Sequence, residues 1–227
     1  MSSRLCIFGS PFSSYYNKIK IALIELDLPF EEAPFMPGAG NWPESGSPSG
    51  KIPFLHTAGG NIYESQAIVE YLEDIRPQTS ASLFPANPIE RAHCRELIQY
   101  IELYLDAAVR PVYPAAFWGK TLNQDELEEA LKNLEKGLRT LERRANLQQW
   151  LCGERYTHAD AAAWVHLSTI RRMLKILGQE EFLGRHLPAL PGYLERLAER
   201  PSTRRVEADR HEAGRALKKQ QSASQGN

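Results

Sequence analysis

The stretch GKIPFLHTAGGNIYESQAI, Gly50 to Ile68, decides how this chain is read. Ile52-Pro53-Phe54-Leu55-His56 and Asn61-Ile62-Tyr63 are short apolar runs, and Ala58-Gly59-Gly60 between them predicts a β-hairpin. A proline that opens a strand removes a ladder donor. Two arrangements fit it: a trans proline at the strand start, or a cis Ile52-Pro53 bond in a tight turn. In the second, the N–H and C=O of Ile52 face out from the sheet and can pair with a peptide as an added strand. Glu64-Ser65 then precedes a helix whose inner face carries Ile68, Tyr71, Leu72 and Ile75. Ser is a preferred N-cap and Glu suits the positive end of a helix. The same pair also fits a binding role, in which the helix N–H groups and the Ser65 hydroxyl hold a carboxylate and Glu64 accepts from an ammonium group.

Upstream, Leu5-Cys6-Ile7-Phe8 reads as a buried strand, followed by a loop with Gly9, Ser10, Pro11, Ser13 and Ser14. From Asn17 the period changes: Ile19, Ala22, Leu23 and Leu26 mark one helix face. Pro29-Phe30-Glu31-Glu32 reads as a second strand, and Pro34 to Gly50, with Trp42, as a long loop. The order is β-α-β, a β-hairpin, then α. Downstream, residues 77–88 have linker composition. Beyond them only helices are expected. Ile89 to Ala108 is one long amphipathic run, and Leu127, Leu131, Leu134, Leu138, Leu141 and Ala145 form another with a near-heptad seam. Further helices are predicted over Ala159–Leu177 and Pro191–Glu199, with a frayed polar tail from Ala208. The reading is therefore an α/β N-terminal domain over 1–76, a linker over 77–88, an all-α helical-bundle C-terminal domain over 89–206 and a polar, flexible tail over 207–227.

Composition excludes several function classes. The chain has 227 residues and a formal net charge of -1, which gives no support for nucleic acid or an acidic membrane surface as partner. No apolar run is long enough to span a bilayer, and MSSRLCIFGS lacks a basic stretch before a signal-peptide core, so a cytoplasmic location is expected. Cys6, Cys94 and Cys152 are odd in number and widely spaced, which reads as reduced, largely buried thiols and not as a disulfide framework or a metal site.

The IP strand start, ESQAI at the last helix of the first domain and a helical bundle after it together resemble the cytosolic glutathione transferases, up to about Arg205. WLCGERYTHADAAAW, Trp150 to Trp164, resembles that family's second-domain signature, with Thr157 as helix cap and Asp160 three residues on, a capping box with Asp in place of Glu. ERPSTRRV resembles the family's closing helix. The resemblance implies a thioredoxin-like N-terminal fold, glutathione as co-substrate with no metal, conjugation to small electrophiles in detoxification, and a homodimer. It implies that Ile52, before a cis Pro53, pairs with the cysteinyl part of glutathione, that Glu64 and Ser65 hold the γ-glutamyl end, and that Lys51 helps with a carboxylate. Such transferases lower the pKa of the glutathione thiol by donating a hydrogen bond to the thiolate. In GSPFSSYYNKIKIAL there is no Cys, and Phe8 ends the first strand where the tyrosine classes have Tyr. The loop is similar to the serine-class motif Ser-Pro-Phe-x-Arg-Lys-Val, with Ser13 in the serine position and Ser14 in the proline position. Ser13 is the first choice as donor, with Ser10, Ser14, Tyr15 and Asn17 as alternatives. Tyr104, Tyr113, Phe117 and Trp118 are candidate walls of an electrophile pocket. Two other readings stay open: a glutathione-dependent isomerase or disulfide reductase of the same fold, and a glutathione-binding or protein-interaction module without catalysis.

Overall fold

The computed structural model describes residues 5–35 and 46–225. Most of the loop expected between Pro34 and Gly50, including Trp42, lies outside them. By contacts the chain divides into two compact units, Met1–Ser82 with Arg200–Asn227, and Leu83–Glu199.

The first unit holds β1 (Leu5–Gly9), α1 (Ser14–Glu25), β2 (Phe30–Pro34), β3 (Phe54–Thr57), β4 (Gly60–Tyr63) and α2 (Ser65–Ile75). The strands form one sheet in the order β2-β1-β3-β4. β1 and β2 are parallel, and α1 provides the crossover such a pair requires. β3 runs antiparallel to both β1 and β4. Leu5 and Ile7 of β1, Phe54 and Leu55 of β3, and Ile19, Ala22, Leu23 and Leu26 around α1 are all buried. The predicted β-α-β-β-β-α-type order is what the chain adopts, the hairpin being counted as β3 and β4.

Helix α1 also buries two lysines, Lys18 and Lys20. An ammonium group out of water needs a counter-charge. Lys20 Nζ finds two, lying 2.5 Å from Glu32 on β2 and 2.5 Å from Asp209. The Tyr16 hydroxyl donates to the same Glu32 oxygen at 2.5 Å. Asp209 sits on a last helix that runs from Pro201 to Gln225. The tail expected to fray from Ala208 is thus helical through Gln225, and it belongs to the first unit. At its start Arg200 bonds Glu25 of α1 at 3.0 Å, and Ser202 bonds the same carboxylate. The charges that dock it are spread along a polar sequence with no apolar stripe, so periodicity could not mark it.

In the second unit α3 (Pro88–Tyr100) continues through a π-helical segment, Ile101–Asp106, into α4 (Ala107–Val109), a 3₁₀ turn (Arg110–Val112) and α5 (Tyr113–Trp118). Then come α6 (Gln124–Arg144), α7 (His158–Ile176), α8 (Phe182–His186) and α9 (Leu190–Ala198), before the last helix, α10 (Pro201–Gln225), returns to the first unit. Leu127, Leu134, Leu138 and Leu141 of the predicted seam are buried. Gly137 of α6 is required by close approach, because a Cβ there would overlap the Tyr104 carbonyl of the π segment. The stretch read as linker is only partly one. Leu83 and Phe84 are buried, Phe84 packs on the ring of His158, and the Leu83 carbonyl accepts from His158 N at 3.1 Å.

The capping box is present. Asp160 accepts from Thr157 N at 2.8 Å and Thr157 Oγ1 at 2.9 Å. Its other oxygen accepts from Leu151 N at 2.8 Å and the Tyr193 hydroxyl at 2.7 Å. One fully buried carboxylate therefore ties the start of α7 to the preceding turn and to α9.

A second buried cluster lies against the π segment. Asp106 accepts from Arg110 Nε at 2.7 Å and the Tyr113 hydroxyl at 2.9 Å, and His166 Nδ1 lies 3.2 Å from it. His166 Nε2 lies 3.7 Å from Glu102. Burial opposes charge on His166, but Asp106 and then Glu102 outweigh it and hold its pKa above the ordinary value. Burial likewise opposes the Asp106 carboxylate, and His166, Arg110 and Tyr113 outweigh it, holding its pKa below the ordinary value. A raised histidine pKa contributes stability that is complete below the unfolded value, about 6.5, and lost as pH rises through the folded value. A depressed aspartate contributes stability that is complete above about 3.9 and lost as pH falls through the folded value. Urea unfolding followed against pH should show an alkaline decline in stability that His166→Gln flattens. An unchanged alkaline slope in that variant would contradict the pairing.

Candidate functional site

Sheet register fixes where the candidate residues meet. Phe8 pairs with Phe54, and Phe54 pairs with Tyr63. Their rings follow the ladder: Phe8 stacks on Phe54 with centroids 4.5 Å apart, and Phe54 meets Tyr63 at 6.1 Å. Residues just after Phe8, just before Phe54 and just after Tyr63 therefore share one end of the sheet. These are the Gly9–Ser13 loop, Ile52-Pro53, and Glu64-Ser65. The N-termini of α1 and α2 open at the same end.

The loop after β1 is built from its own polar groups. Gly9 comes so close to Tyr16 that a Cβ would lie 2.5 Å from the ring. Ser10 is buried and its hydroxyl accepts from Phe12 N at 3.3 Å. Ser13 N donates to the Ser10 carbonyl at 2.9 Å. Ser13 is then the N-cap of α1, its Oγ accepting from Tyr16 N at 3.3 Å. That bond uses a lone pair of the hydroxyl and not its proton. Asn17 is buried, and its side-chain N–H donates to the Pro11 carbonyl at 2.8 Å, which makes it a brace of the loop. Ser14 is the buried first residue of α1. Tyr15 is half-buried, with the Lys18 ammonium 6.0 Å from its ring centre, and Lys18 reaches Gln66 of α2 at 3.3 Å. Of the alternatives to Ser13, Asn17 has one of its two side-chain N–H groups on the loop.

The Ile52-Pro53 bond is cis, the second of the two arrangements open from sequence. Pro53 is buried, Ile52 half-buried and Lys51 exposed. At α2 the roles of the quoted pair differ from the expectation. Glu64, not Ser65, is the N-cap, and it makes no side-chain capping bond. Ser65 is the first helical residue and is buried. Glu64 is exposed and has φ 65° and ψ 120°, a backbone conformation that disfavours any residue with a Cβ. No glycine marks that position, so sequence gave no signal of it.

The aromatic candidates of the helical unit separate. Tyr113 is a core residue, buried with its hydroxyl on Asp106, and Phe117 meets it edge-on at 5.3 Å. Trp118 is 68% exposed. Tyr104 is exposed and lines a surface groove of about 380 Å³ with Arg95, Tyr100 and Leu103. The four do not form one wall within this unit.

Comparison with known proteins identifies the family of this fold. The family "Glutathione S-transferase, N-terminal domain" matches residues 7–80, and "Glutathione S-transferase, C-terminal domain" matches residues 100–201. A glutathione S-transferase of Pseudomonas putida is 34% identical over 206 residues, covering 91% of this chain and 92% of its own length. A glutathione S-transferase of Methylobacterium radiotolerans, solved in complex with glutathione sulfonate, superposes with a TM-score of 0.71 at 25% identity, over 90% of this chain and 94% of its own. The beta-etherase LigF of a Sphingobium species has the same fold, with a TM-score of 0.76 at 21% identity, over 91% of this chain and 99% of its own. The chain belongs to the glutathione S-transferase family.

The backbone at Glu64 yields a prediction. A non-glycine residue held at positive φ costs about 1–3 kcal/mol. Glu64→Gly relieves that cost but loosens the unfolded chain, so a net gain of about 1 kcal/mol is expected in urea unfolding. A destabilised variant would contradict the strain at this position.

Proposed function

We propose that this protein binds glutathione at the shared sheet end and conjugates it to small electrophiles, with Ser13 as the group that activates the thiol. The carrying observation is the use of the Ser13 hydroxyl. Its oxygen accepts from Tyr16 N, so its proton is available to a thiolate, and it stands at the N-terminus of α1, where the helix dipole favours an anion. The backbone of Ile52 offers the cysteinyl part of glutathione a strand-like pair. Ser65 and the first N–H groups of α2 suit the γ-glutamyl carboxylate, Glu64 its ammonium group, and Lys51 a second carboxylate. The relatives named glutathione S-transferase favour conjugation over the isomerase and reductase readings. Tyr104, Phe117 and Trp118 remain candidates for contact with the electrophile, whose identity this reading leaves general.

The proposal includes a homodimer and a cytoplasmic location, as the family implies. Exposed Ile89 and Leu103 on α3 and the π segment are apolar area that a second subunit would cover. No described helix is long and apolar enough to cross a membrane. Light scattering should give twice the chain mass of 25.7 kDa. A monomer at all concentrations would remove the dimer from the proposal.

Thiolate absorbance of bound glutathione against pH tests the donor. In the wild type the thiol should ionise below its free value of about 8.5. Ser13→Ala should return it toward that value and lower kcat about 100-fold, the usual loss of one donor to a developing anion. A depressed pKa that survives Ser13→Ala would transfer the role to Ser14, Tyr15 or Asn17.

A further inference from the structure

Tyr16, in the first turn of α1, is 1% exposed and is anchored at three points. Its backbone N–H donates to Ser13 Oγ at 3.3 Å. Its ring lies against Gly9, where β1 ends and the loop to Ser13 begins, so closely that a Cβ there would stand 2.5 Å from a ring carbon. Its hydroxyl donates to a Glu32 oxygen of β2 at 2.5 Å. The same oxygen lies 2.5 Å from Lys20 Nζ, one turn further along α1, and Lys20 reaches Asp209 of α10 at 2.5 Å. Arg205 Nε closes the series on Asp209 at 3.0 Å. We propose that Tyr16 is a positioning residue for Ser13, and that Glu32, Lys20 and Asp209 hold it in place, so that the last helix helps to aim the group that activates the glutathione thiol. This inference rests on the reading of Ser13 as that group.

A serine hydroxyl has three staggered rotamers, and a given sulfur is served by one of them. The bond from Tyr16 N turns a lone pair of Ser13 toward the helix and leaves the proton for a thiolate. At 3.3 Å that bond is longer than the usual N–H···O range, so its geometry depends on how firmly the first turn of α1 is placed. Tyr16 places it. The ring sets the separation of that turn from Gly9, and the hydroxyl ties the turn to β2, the neighbour of β1 in the sheet. Both ends of the Gly9–Ser13 loop are thereby referred to one side chain.

The charges behind Tyr16 are balanced, with Lys20 and Arg205 facing Glu32 and Asp209. The Lys20 side chain is 2% exposed, so water does not carry its charge and the two carboxylates share it. Without Asp209 the whole of that charge falls on Glu32, at the oxygen that Tyr16 uses. Burial, then the hydrogen bond and charge of Glu32, hold the Tyr16 pKa well above the ordinary phenol value. Tyr16 therefore stays a donor to Glu32 throughout the pH range in which a thiol titrates.

The test is the thiolate titration of bound glutathione, with kcat and KM, in the whole protein carrying Tyr16→Phe. That variant keeps the ring on Gly9 and removes only the hydroxyl. The thiol pKa should move part of the way toward its free value of about 8.5. The kcat should fall about tenfold while KM for glutathione holds, because a misaimed donor loses part of what a missing one loses. Asp209→Asn should shift the thiol in the same direction by a smaller amount, and it carries the test if Tyr16→Phe does not fold. In a Ser13→Ala background Tyr16→Phe should add no further shift, since the path runs through Ser13. A Tyr16→Phe protein that titrates its thiol as the wild type does, whatever its melting temperature, would overturn the positioning role and leave Ser13 in place. An equal shift with and without Ser13 would overturn it as well, and a wild-type titration in Asp209→Asn would overturn the part given to α10. If Ser13→Ala itself leaves the thiol pKa unchanged, the activator is another residue and the positioning of Ser13 falls with it.

Discussion

The pairing of β1 with β3 and of β3 with β4 is the constraint on which the rest depends. Phe8, Phe54 and Tyr63 stand side by side across three strands, Phe8 stacked on Phe54 and Tyr63 tilted against it, where each strand ends or begins. A slip of one residue would turn every side chain to the other face. It would bury Phe8 in place of Ile7 and carry Ser13, Ile52 and Glu64 away from a common end. The proposed glutathione contacts are short-range, so they require that register to be held.

Two helices hold the register from behind. Helix α1 sits against the sheet and carries Ser13 at its front and two buried lysines further along. The charge of Lys20 is met from β2 and from α10 together, which makes the last helix part of the same electrostatic unit as the site. Removing one carboxylate would leave a buried ammonium group under-compensated, a larger loss than an exposed pair could cause. In the helical unit buried carboxylates do similar work: Asp160 organises the start of α7, and Asp106 closes the π segment onto His166 and Tyr113.

The sequence was most legible where a local rule has a local cause. Alternation and turn residues marked β3, Gly59-Gly60 and β4, and Thr157 with Asp160 announced a helix start. The family's fold followed from three motifs in order. Less was readable where the cause is distant. The charged docking of α10 has no periodic signature, because Asp209 needs Lys20, which is 189 residues earlier in the chain. The buried Leu83 and Phe84 are hidden among turn residues that read as linker. Glu64 breaks the rule that positive φ belongs to glycine, and Tyr113 looked like a pocket wall until its partner Asp106 was located.

The central claim is that three short segments at one sheet end make a glutathione site with Ser13 at the sulfur. A crystal structure of the glutathione complex tests it most directly. The account predicts the γ-glutamyl group at Glu64 and Ser65, the cysteinyl backbone paired with Ile52, and the sulfur within hydrogen-bond distance of Ser13 Oγ, about 3–3.5 Å for such a contact. A ligand bound there with its sulfur on another donor would contradict the role of Ser13, and glutathione bound elsewhere on the molecule would contradict the site itself.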